Sequence, residues 1–206
     1  MSSAQAISND HRAFLNRYYG ISRHFYDLTR KYYLFGRDTE LRELAGEDWQ
    51  SLIEVGPGTG RNLDKLRRFR PNVSLGGVEA CDEMLLSARR RCPGVSFSQG
   101  FAETADYRSV LGQAPERILF SYCLSMVQGQ DQAIERAQQA LAAGGQLVLV
   151  DFADFAGLPR AAAASLSRWL RTFHVQPMAA DRLRAHGFDL SFGPGRYFLR
   201  GRWRAA

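Results

Sequence analysis

Cysteine is scarce in this sequence of 206 residues, and the few cysteines are badly placed for two common kinds of stabilising site. Cys81, Cys92 and Cys123 are odd in number and form neither a CxxC pair nor the Cys/His spacing of a zinc site. The sequence therefore predicts neither a disulfide framework nor a bound metal. Free thiols suit a reducing compartment, so we expect a cytoplasmic protein.

Long apolar runs and lysine are also rare. No stretch approaches the roughly 18 apolar residues of a membrane-spanning helix, and residues 1–14 lack the apolar core of a secretory signal. The sequence therefore predicts a protein that is neither exported nor membrane-spanning. The net charge of +6 comes mainly from arginines, which cluster in 61–70, 89–91 and 196–204. Such clusters suit an anionic membrane surface or nucleic acid, but they are also typical of ordinary solvated faces.

Short apolar strands alternate with amphipathic helices from Trp49 onward. The alternation predicts an α/β fold, a Rossmann-like three-layer sandwich around a mostly parallel seven-stranded sheet. A helical stretch around 160–185 and a closing hairpin in 191–205 complete it and supply an antiparallel edge. The predicted strands are 51–55, 72–79, 95–99, 117–122 and 146–152, and the predicted helices between them are 62–69, 82–92 and 130–142.

The residues before Trp49 have a different pattern. Residues 8–44 are predicted to be helical, with breaks near Gly20 and Gly36, and Ala45-Gly46-Glu47 is the predicted seam. The sequence therefore predicts an N-terminal helical lid or substrate cap over 1–46, followed by an α/β domain over 47–206.

A glycine-rich turn, EVGPGTG at 54–60, follows the first predicted strand. Glycines at 56, 58 and 60 let the backbone turn sharply and approach a ligand closely. A dinucleotide fingerprint would need a small residue where Arg61 stands, and Glu54 would repel phosphates while suiting an ammonium group. Glu79 ends the second strand, where Rossmann-like folds place a carboxylate on ribose hydroxyls. The two signals together favour a cofactor that contains a methionine moiety and a ribose.

With this turn and Glu79, the sequence resembles class I S-adenosylmethionine (SAM)-dependent methyltransferases. The resemblance implies SAM as the cofactor, S-adenosyl-L-homocysteine (SAH) as its product, and no metal. It places Glu54 and the glycines at the methionine end, Glu79 at the ribose, and Met84 near the adenine. For Met84 and Phe101 a second interpretation stays open, in which both are core residues and not cofactor contacts. The expected cofactor-binding residues are Glu54, Gly56, Pro57, Gly58, Gly60, Glu79, Ala80, Met84, Phe101, Ala102, Glu103, Ser121 and Tyr122.

The segment 17–38 holds five of the eight tyrosines together with several arginines. Helical spacing puts Tyr26, Arg30, Tyr33 and Arg37 on one face, which would suit a binding lid. Tyrosines can surround a methylated ammonium through cation–π contacts, and an arginine can fork onto a carboxylate. An amphipathic packing helix with solvated arginines is the alternative.

This segment and SYCLSMVQG (121–129), VDF (150–152), LPR (158–160) and RWLRTFHVQP (168–177) closely resemble bacterial diacylglyceryl-homoserine N-methyltransferases. The resemblance implies that the enzyme trimethylates the amine of diacylglyceryl-homoserine to give the betaine lipid diacylglyceryl-trimethylhomoserine. It further implies a peripheral location at the inner membrane, pairing with the enzyme that makes the substrate, and no nucleic-acid partner. The expected catalytic residues are Tyr26, Arg30 and Tyr33, with His174 and Asp151 for proton removal or head-group orientation.

Residues 158–175 predict a helix with an apolar cluster, in which Leu166, Trp169, Leu170 and Phe173 lie beside arginines. Such a face either contacts an anionic bilayer or is buried in the core. Three other functions stay open at this point. They are a carbon methyltransferase of quinone synthesis or another small-molecule methyltransferase, an RNA methyltransferase, and a non-catalytic cofactor-binding partner subunit.

Overall fold

The computed structural model describes residues 34–206, in which helices and strands alternate as the sequence predicts. Between 34 and 206 no helix is both long enough and apolar enough to cross a bilayer. The helices are α1 (Arg37–Gly46), α2 (Arg61–Phe69), α3 (Asp82–Arg91), α4 (Tyr107–Leu111), α5 (Gln130–Ala140), α6 (Arg160–Thr172) and α7 (Ala180–Ala185). The strands are β1 (Ser51–Val55), β2 (Ser74–Glu79), β3 (Ser96–Gln99), β4 (Arg117–Ser121), β5 (Gln146–Phe152), β6 (Asp189–Phe192) and β7 (Phe198–Arg204).

The seven strands form one sheet in the order β3-β2-β1-β4-β5-β7-β6. The first five run parallel, and β7 and β6 join as an antiparallel edge. This confirms the predicted fold. Every residue of β1 and β4 is buried, as expected for parallel strands that helices cover on both faces. The strand order reverses between β1 and β4, and the carboxyl ends of strands at such a point form a crevice.

Each face of the sheet is covered by its own hydrophobic core. On one face Leu41 of α1 and Leu63 of α2 pack with Leu52 and Leu119 of the sheet. On the other face the neighbouring strand residues, such as Ile53 and Ile118, pack with α5 and α7. Successive strand residues therefore serve opposite cores, and the result is a three-layer sandwich.

A third cluster covers the carboxyl ends of β4 and β5. Tyr122, Val150 and Phe152 from the sheet pack there with Leu170 of α6 and with Val175 beyond it. The helix α6 is therefore packed against the edge of the sheet where the parallel strands end and the crevice lies.

Ion pairs join α1 to β7. Glu40 is buried and pairs with Arg200 and with Arg202, the latter at 2.5 Å. Glu47, just beyond α1, pairs with Arg202 at 2.8 Å and with Arg117 of β4 at 3.2 Å. The predicted seam at 45–47 is thus in close contact with the sheet, and the lid over 1–46 stays a prediction.

Three local differences from the predicted elements have clear causes. The helix expected around 160–185 is two helices, because His174 adopts a positive φ of 56° and Pro177 follows. The predicted helix 130–142 ends at Ala140. The short helix α4 was not predicted. Its cap, Asp106, accepts a hydrogen bond from the Ser109 amide at 3.3 Å, a signal too short to stand out in the sequence.

Candidate active site

The glycine turn between β1 and α2 is tied to the sheet by its own backbone. The Gly56 amide donates to the Val78 carbonyl at 2.8 Å, and the Gly60 amide donates to the Pro57 carbonyl at 2.9 Å. Gly56, Gly58 and Gly60 all have positive φ, at 63°, 58° and 80°. A Cβ on Gly56 would lie 2.4 Å from Cys123 Sγ, so both the conformation and the space require glycine there.

Glu79 closes the turn from the end of β2. Its Oε2 accepts a hydrogen bond from the Gly58 amide at 2.9 Å, and its Oε1 accepts one from the Cys81 amide at 3.0 Å. Glu79 is buried, and its neighbour Ala80 is partly exposed. The two signals of the sequence, the glycine turn and the strand-end carboxylate, are therefore in direct contact.

Glu54 is the most deeply buried acid of the site, with 1% of its surface exposed. Asn62 donates from Nδ2 to Glu54 Oε1 at 2.6 Å and lies 3.2 Å from Ser121 Oγ. Burial raises the pKa of Glu54 to about 7, against the opposing effects of the Asn62 hydrogen bond and the Arg37 charge. Glu54 Oε2 has no hydrogen-bond partner among the residues that the structure describes. A buried carboxylate oxygen in this condition favours a cationic donor such as an ammonium group.

Tyr122 brings the segment before α1 over the end of β4. Its hydroxyl donates to the Phe35 carbonyl at 2.5 Å, and its amide donates to the Val150 carbonyl at 2.8 Å. The ring packs edge-on against Phe152, with centroids 4.8 Å apart. Burial raises the pKa of the Tyr122 phenol. Tyr122 therefore stays neutral and acts as a donor just beyond the end of β4.

Cys123 lies among the acids of the site. Burial raises the pKa of its thiol, and the negative charges of Glu79, Asp151, Glu54 and Glu103 raise it further. Within residues 34–206 no group of three or more His, Cys, Asp or Glu side chains is arranged to hold a metal ion. Carboxylates near Cys123 favour a cationic ligand over an anionic one.

A family model described as a methyltransferase domain matches residues 26–191, most of the chain. The chain belongs to this family. The family is that of class I SAM-dependent methyltransferases, and the buried Glu54 oxygen beside the glycine turn fits a cofactor with an ammonium group.

Two solved structures share the fold of this methyltransferase. A SAM-dependent methyltransferase from Thermotoga maritima aligns with a TM-score of 0.66 at 19% identity, covering 91% of this chain and 100% of that chain. The N-methyltransferase NodS from Bradyrhizobium japonicum WM9, in complex with SAH, aligns with a TM-score of 0.60 at 19% identity. That alignment covers 82% of this chain and 85% of NodS.

The sequence is also similar to trans-aconitate 2-methyltransferases. The protein of that name from Acidovorax sp. (strain JS42) is 34% identical over 98 residues. The match covers 48% of this chain and 36% of the relative, so the chain spans about a third of the relative's length.

The predicted cofactor-binding residues after β3 differ in their burial. Ala102 is buried, and its carbonyl accepts a hydrogen bond from the Tyr107 hydroxyl at 2.9 Å. Glu103 reaches the loop before α5, where its Oε1 accepts a hydrogen bond from the Gly129 amide at 3.2 Å. Met84 is fully buried on α3, while Phe101 is partly exposed. Adenine contacts by Met84 and Phe101 stay predictions.

Asp151 is the penultimate residue of β5 and is 4% exposed. Its Oδ2 accepts a hydrogen bond from the Ser125 amide at 2.9 Å, and its Oδ1 accepts one from the Phe152 amide at 2.8 Å. Asp151 therefore ties the turn after β4 to β5. Its predicted part in proton removal or head-group orientation stays a prediction.

The predicted substrate face is only partly visible. Tyr26, Arg30 and Tyr33 lie outside the described residues. Gly36, with a φ of 79°, precedes α1, so the helix that carries Arg37 begins at Arg37 itself. Arg37 is nevertheless buried, and its charge lowers the pKa of Glu54. His174 is exposed at the end of α6, and its role stays a prediction.

Two residues of the site were missing from the sequence-based set. Asn62 is buried in the first turn of α2 and contacts Glu54 and Ser121. A polar residue among the inward-facing positions of a helix was the available signal. Cys123 had no signal, because only the turn after β4 brings it against Gly56.

Proposed function

We propose that this methyltransferase trimethylates the amine of diacylglyceryl-homoserine and so makes diacylglyceryl-trimethylhomoserine. The observation that carries the proposal is the hydrogen bond from the Tyr122 hydroxyl to the Phe35 carbonyl at 2.5 Å, which holds the end of the Tyr- and Arg-rich segment at the carboxyl end of β4. The buried acid Glu54 lies near the end of the neighbouring strand β1 and favours a cationic donor.

The donor is held at the glycine turn in this proposal. Glu54 accepts the ammonium of the methionine moiety, and Asn62 fixes the carboxylate through its 2.6 Å hydrogen bond. Glu79, already aligned by the Gly58 and Cys81 amides, meets the ribose hydroxyls. SAM supplies the methyl group as an electrophilic sulfonium, so the protein chiefly aligns donor and acceptor and excludes water.

The acceptor is held by the segment that precedes α1. Arg30 forms a bidentate ion pair with the homoserine carboxylate, and Tyr26 and Tyr33 surround the methylated nitrogen. The hydrogen bond from Tyr122 to the Phe35 carbonyl supports this arrangement, since it draws the end of that segment to the crevice. The amine must lose a proton before each transfer, and His174 and Asp151 stay the candidates for that step.

The test is incubation of the purified protein with methyl-labelled SAM and separate acceptors. Diacylglyceryl-homoserine in detergent micelles should acquire one, two and then three labelled methyl groups. Arg30→Ala should lose most of this transfer, and Lys31→Ala, which removes the same charge one position away, should retain it. Transfer to a demethylated quinone or to RNA, or cofactor binding with no transfer to any acceptor, would overturn the proposal.

A second candidate is methylation of a small polycarboxylate at a carboxylate oxygen. The similarity to trans-aconitate 2-methyltransferases favours it. The same incubation decides between the two, because trans-aconitate would yield a labelled methyl ester and diacylglyceryl-homoserine would stay unlabelled.

A further inference from the structure

The outer face of α6 carries positive charge that no acid among residues 34–206 balances. Arg160, Arg168 and Arg171 are exposed, and none of them forms an ion pair in the part of the chain from 34 to 206. The sequence has no Asp or Glu between Asp154 and Asp181. Arg196 differs in this respect, because Asp154 pairs with it at 2.6 Å and neutralises it locally.

An exposed aromatic residue lies between these arginines. Trp169 is 38% exposed and packs edge-on against Phe173, with ring centroids 5.0 Å apart. It borders an open hollow of about 410 Å³. The hollow is lined by Ala164, Ser165, Arg168, Trp169 and Thr172. Tryptophan beside arginine is typical of helices that lie in the interface of a bilayer.

The inner face of α6 places this surface at the crevice. Leu170 is buried and packs in the cluster that holds Tyr122 and Phe152, at the carboxyl ends of β4 and β5. The helix therefore covers the edge of the sheet where the glycine turn and the acids converge. A bilayer that contacts α6 would lie next to the crevice.

We propose that the outer face of α6 docks the enzyme on an anionic phospholipid bilayer. The three arginines meet lipid phosphates, and Trp169 enters the interface between head groups and acyl chains. The lipid identity of the acceptor rests on the proposed function, whereas bilayer binding can be measured without it. Docking beside the crevice shortens the path of a lipid head group from the membrane to the site of transfer.

The experiment is sedimentation of the full chain with sucrose-loaded vesicles of phosphatidylcholine, with and without phosphatidylglycerol. We expect binding to the anionic vesicles only. Arg168→Gln/Arg171→Gln should weaken that binding roughly 30-fold, since each arginine near an anionic surface contributes about 1 kcal/mol. The matched control is Arg89→Gln/Arg90→Gln, which removes the same charge at the carboxyl end of α3, where both arginines are exposed.

Four outcomes decide the docking proposal. Selective loss in the α6 variant, with the control near wild type, supports it. Equal loss in both variants would mean general attraction of a basic protein and would overturn it, as would failure to bind anionic vesicles. If the protein bound RNA instead of vesicles, and the α6 variant alone lost that binding, the docking proposal would also be overturned. Methyl transfer measured in detergent micelles tests the proposed acceptor without a bilayer. Failure of the proposed function can therefore be distinguished from failure of the docking proposal.

Discussion

At the scale of single residues, the site depends on a buried acid that is poised between its two charge states. Glu54 has a pKa raised to about 7 by burial, and one of its oxygens is satisfied by Asn62. In the protein without cofactor the protonated form is therefore favoured relative to an exposed acid. An ammonium group nearby would reverse that preference, because it stabilises the carboxylate.

Cofactor affinity should therefore depend on pH through Glu54. With a folded pKa near 7, the ionised form falls as pH falls, so SAM affinity should be about tenfold weaker at pH 6 than above pH 8. The stability of the cofactor-free protein should change in the opposite direction. The contribution of Glu54 is fully present below its ordinary pKa of 4.5 and is lost as pH rises through 7. Calorimetric titration across this pH range measures the affinity.

Replacement of Glu54 tests the same group directly. Glu54→Gln should weaken SAM binding roughly 10- to 100-fold, because a charge-assisted hydrogen bond contributes about 1.5–3 kcal/mol. It should also remove the pH dependence. Glu135→Gln, on the exposed side of α5, is the control and should leave both properties unchanged. A Gln variant that binds like wild type at every pH would contradict the assignment.

A second prediction at this scale concerns Gly56. Gly56→Ala introduces a Cβ 2.4 Å from Cys123 Sγ at a φ of 63°. Gly112→Ala has a similar φ of 69° but nothing within 4 Å, so it carries the conformational strain alone. We expect about 1–2 kcal/mol of destabilisation for Gly112→Ala and about 1–3 kcal/mol more for Gly56→Ala. Urea denaturation measures both, and equal losses would show that the turn tolerates the contact.

At the scale of elements, α1 is attached to the sheet by charge as well as by packing. Arg200 and Arg202 are alternate residues of β7 and therefore point to the same face, where both meet Glu40. Burial raises the pKa of Glu40, and the two arginines oppose that rise. A buried acid in this position fixes the orientation of α1, which carries Arg37 at its first turn.

Removal of Glu40 should therefore destabilise the fold. Glu40→Ala leaves two arginines facing a desolvated position, and we expect about 2–4 kcal/mol less unfolding free energy. Glu43→Ala removes an exposed partner of Arg200 and should cost at most about 1 kcal/mol. Chemical denaturation monitored by tryptophan fluorescence compares the two variants. Equal effects would mean that the buried pair contributes no more than the exposed one.

At the scale of the whole molecule, ligand binding and folding are linked. The predicted cofactor site draws residues from β1, β2, β4 and the loops after them, and these strands belong to one sheet. A ligand that binds only the folded protein must stabilise all of it.

SAH should therefore raise the melting temperature of the whole chain. At one hundred times its dissociation constant the stabilisation is about 2.7 kcal/mol, which for a protein of this size corresponds to roughly 5–10 °C. NAD should have no comparable effect, because Arg61 stands where the dinucleotide fingerprint needs a small residue. Thermal unfolding with each ligand measures the shift. Stabilisation by NAD equal to that by SAH would contradict the cofactor reading of the turn.

The sequence by itself determined the α/β alternation, the parallel sheet with an antiparallel edge, and the positions of the glycine turn after β1 and of Glu79 at the end of β2. These follow from local periodicity and from residues that a sharp turn requires, and both are written within short stretches of chain. The split of the helix at 160–185 was not predicted, because it depends on a positive φ at His174 that a non-glycine residue rarely adopts.

Only the tertiary structure decided which side chains share the site. Cys123 lies against Gly56, Asn62 donates to Glu54, and a backbone amide donates to Asp151. These contacts join residues that are far apart in the chain or that have no sequence pattern. The same holds for charge. Arg200 and Arg202 of β7 pair with Glu40 on α1, whereas the arginines of α6 have no ion pair within residues 34–206, and sequence clusters alone do not distinguish the two. Ion pairs between distant residues form only when the chain folds. These pairs and the burial around them determine which charges remain available to bind a ligand or a membrane.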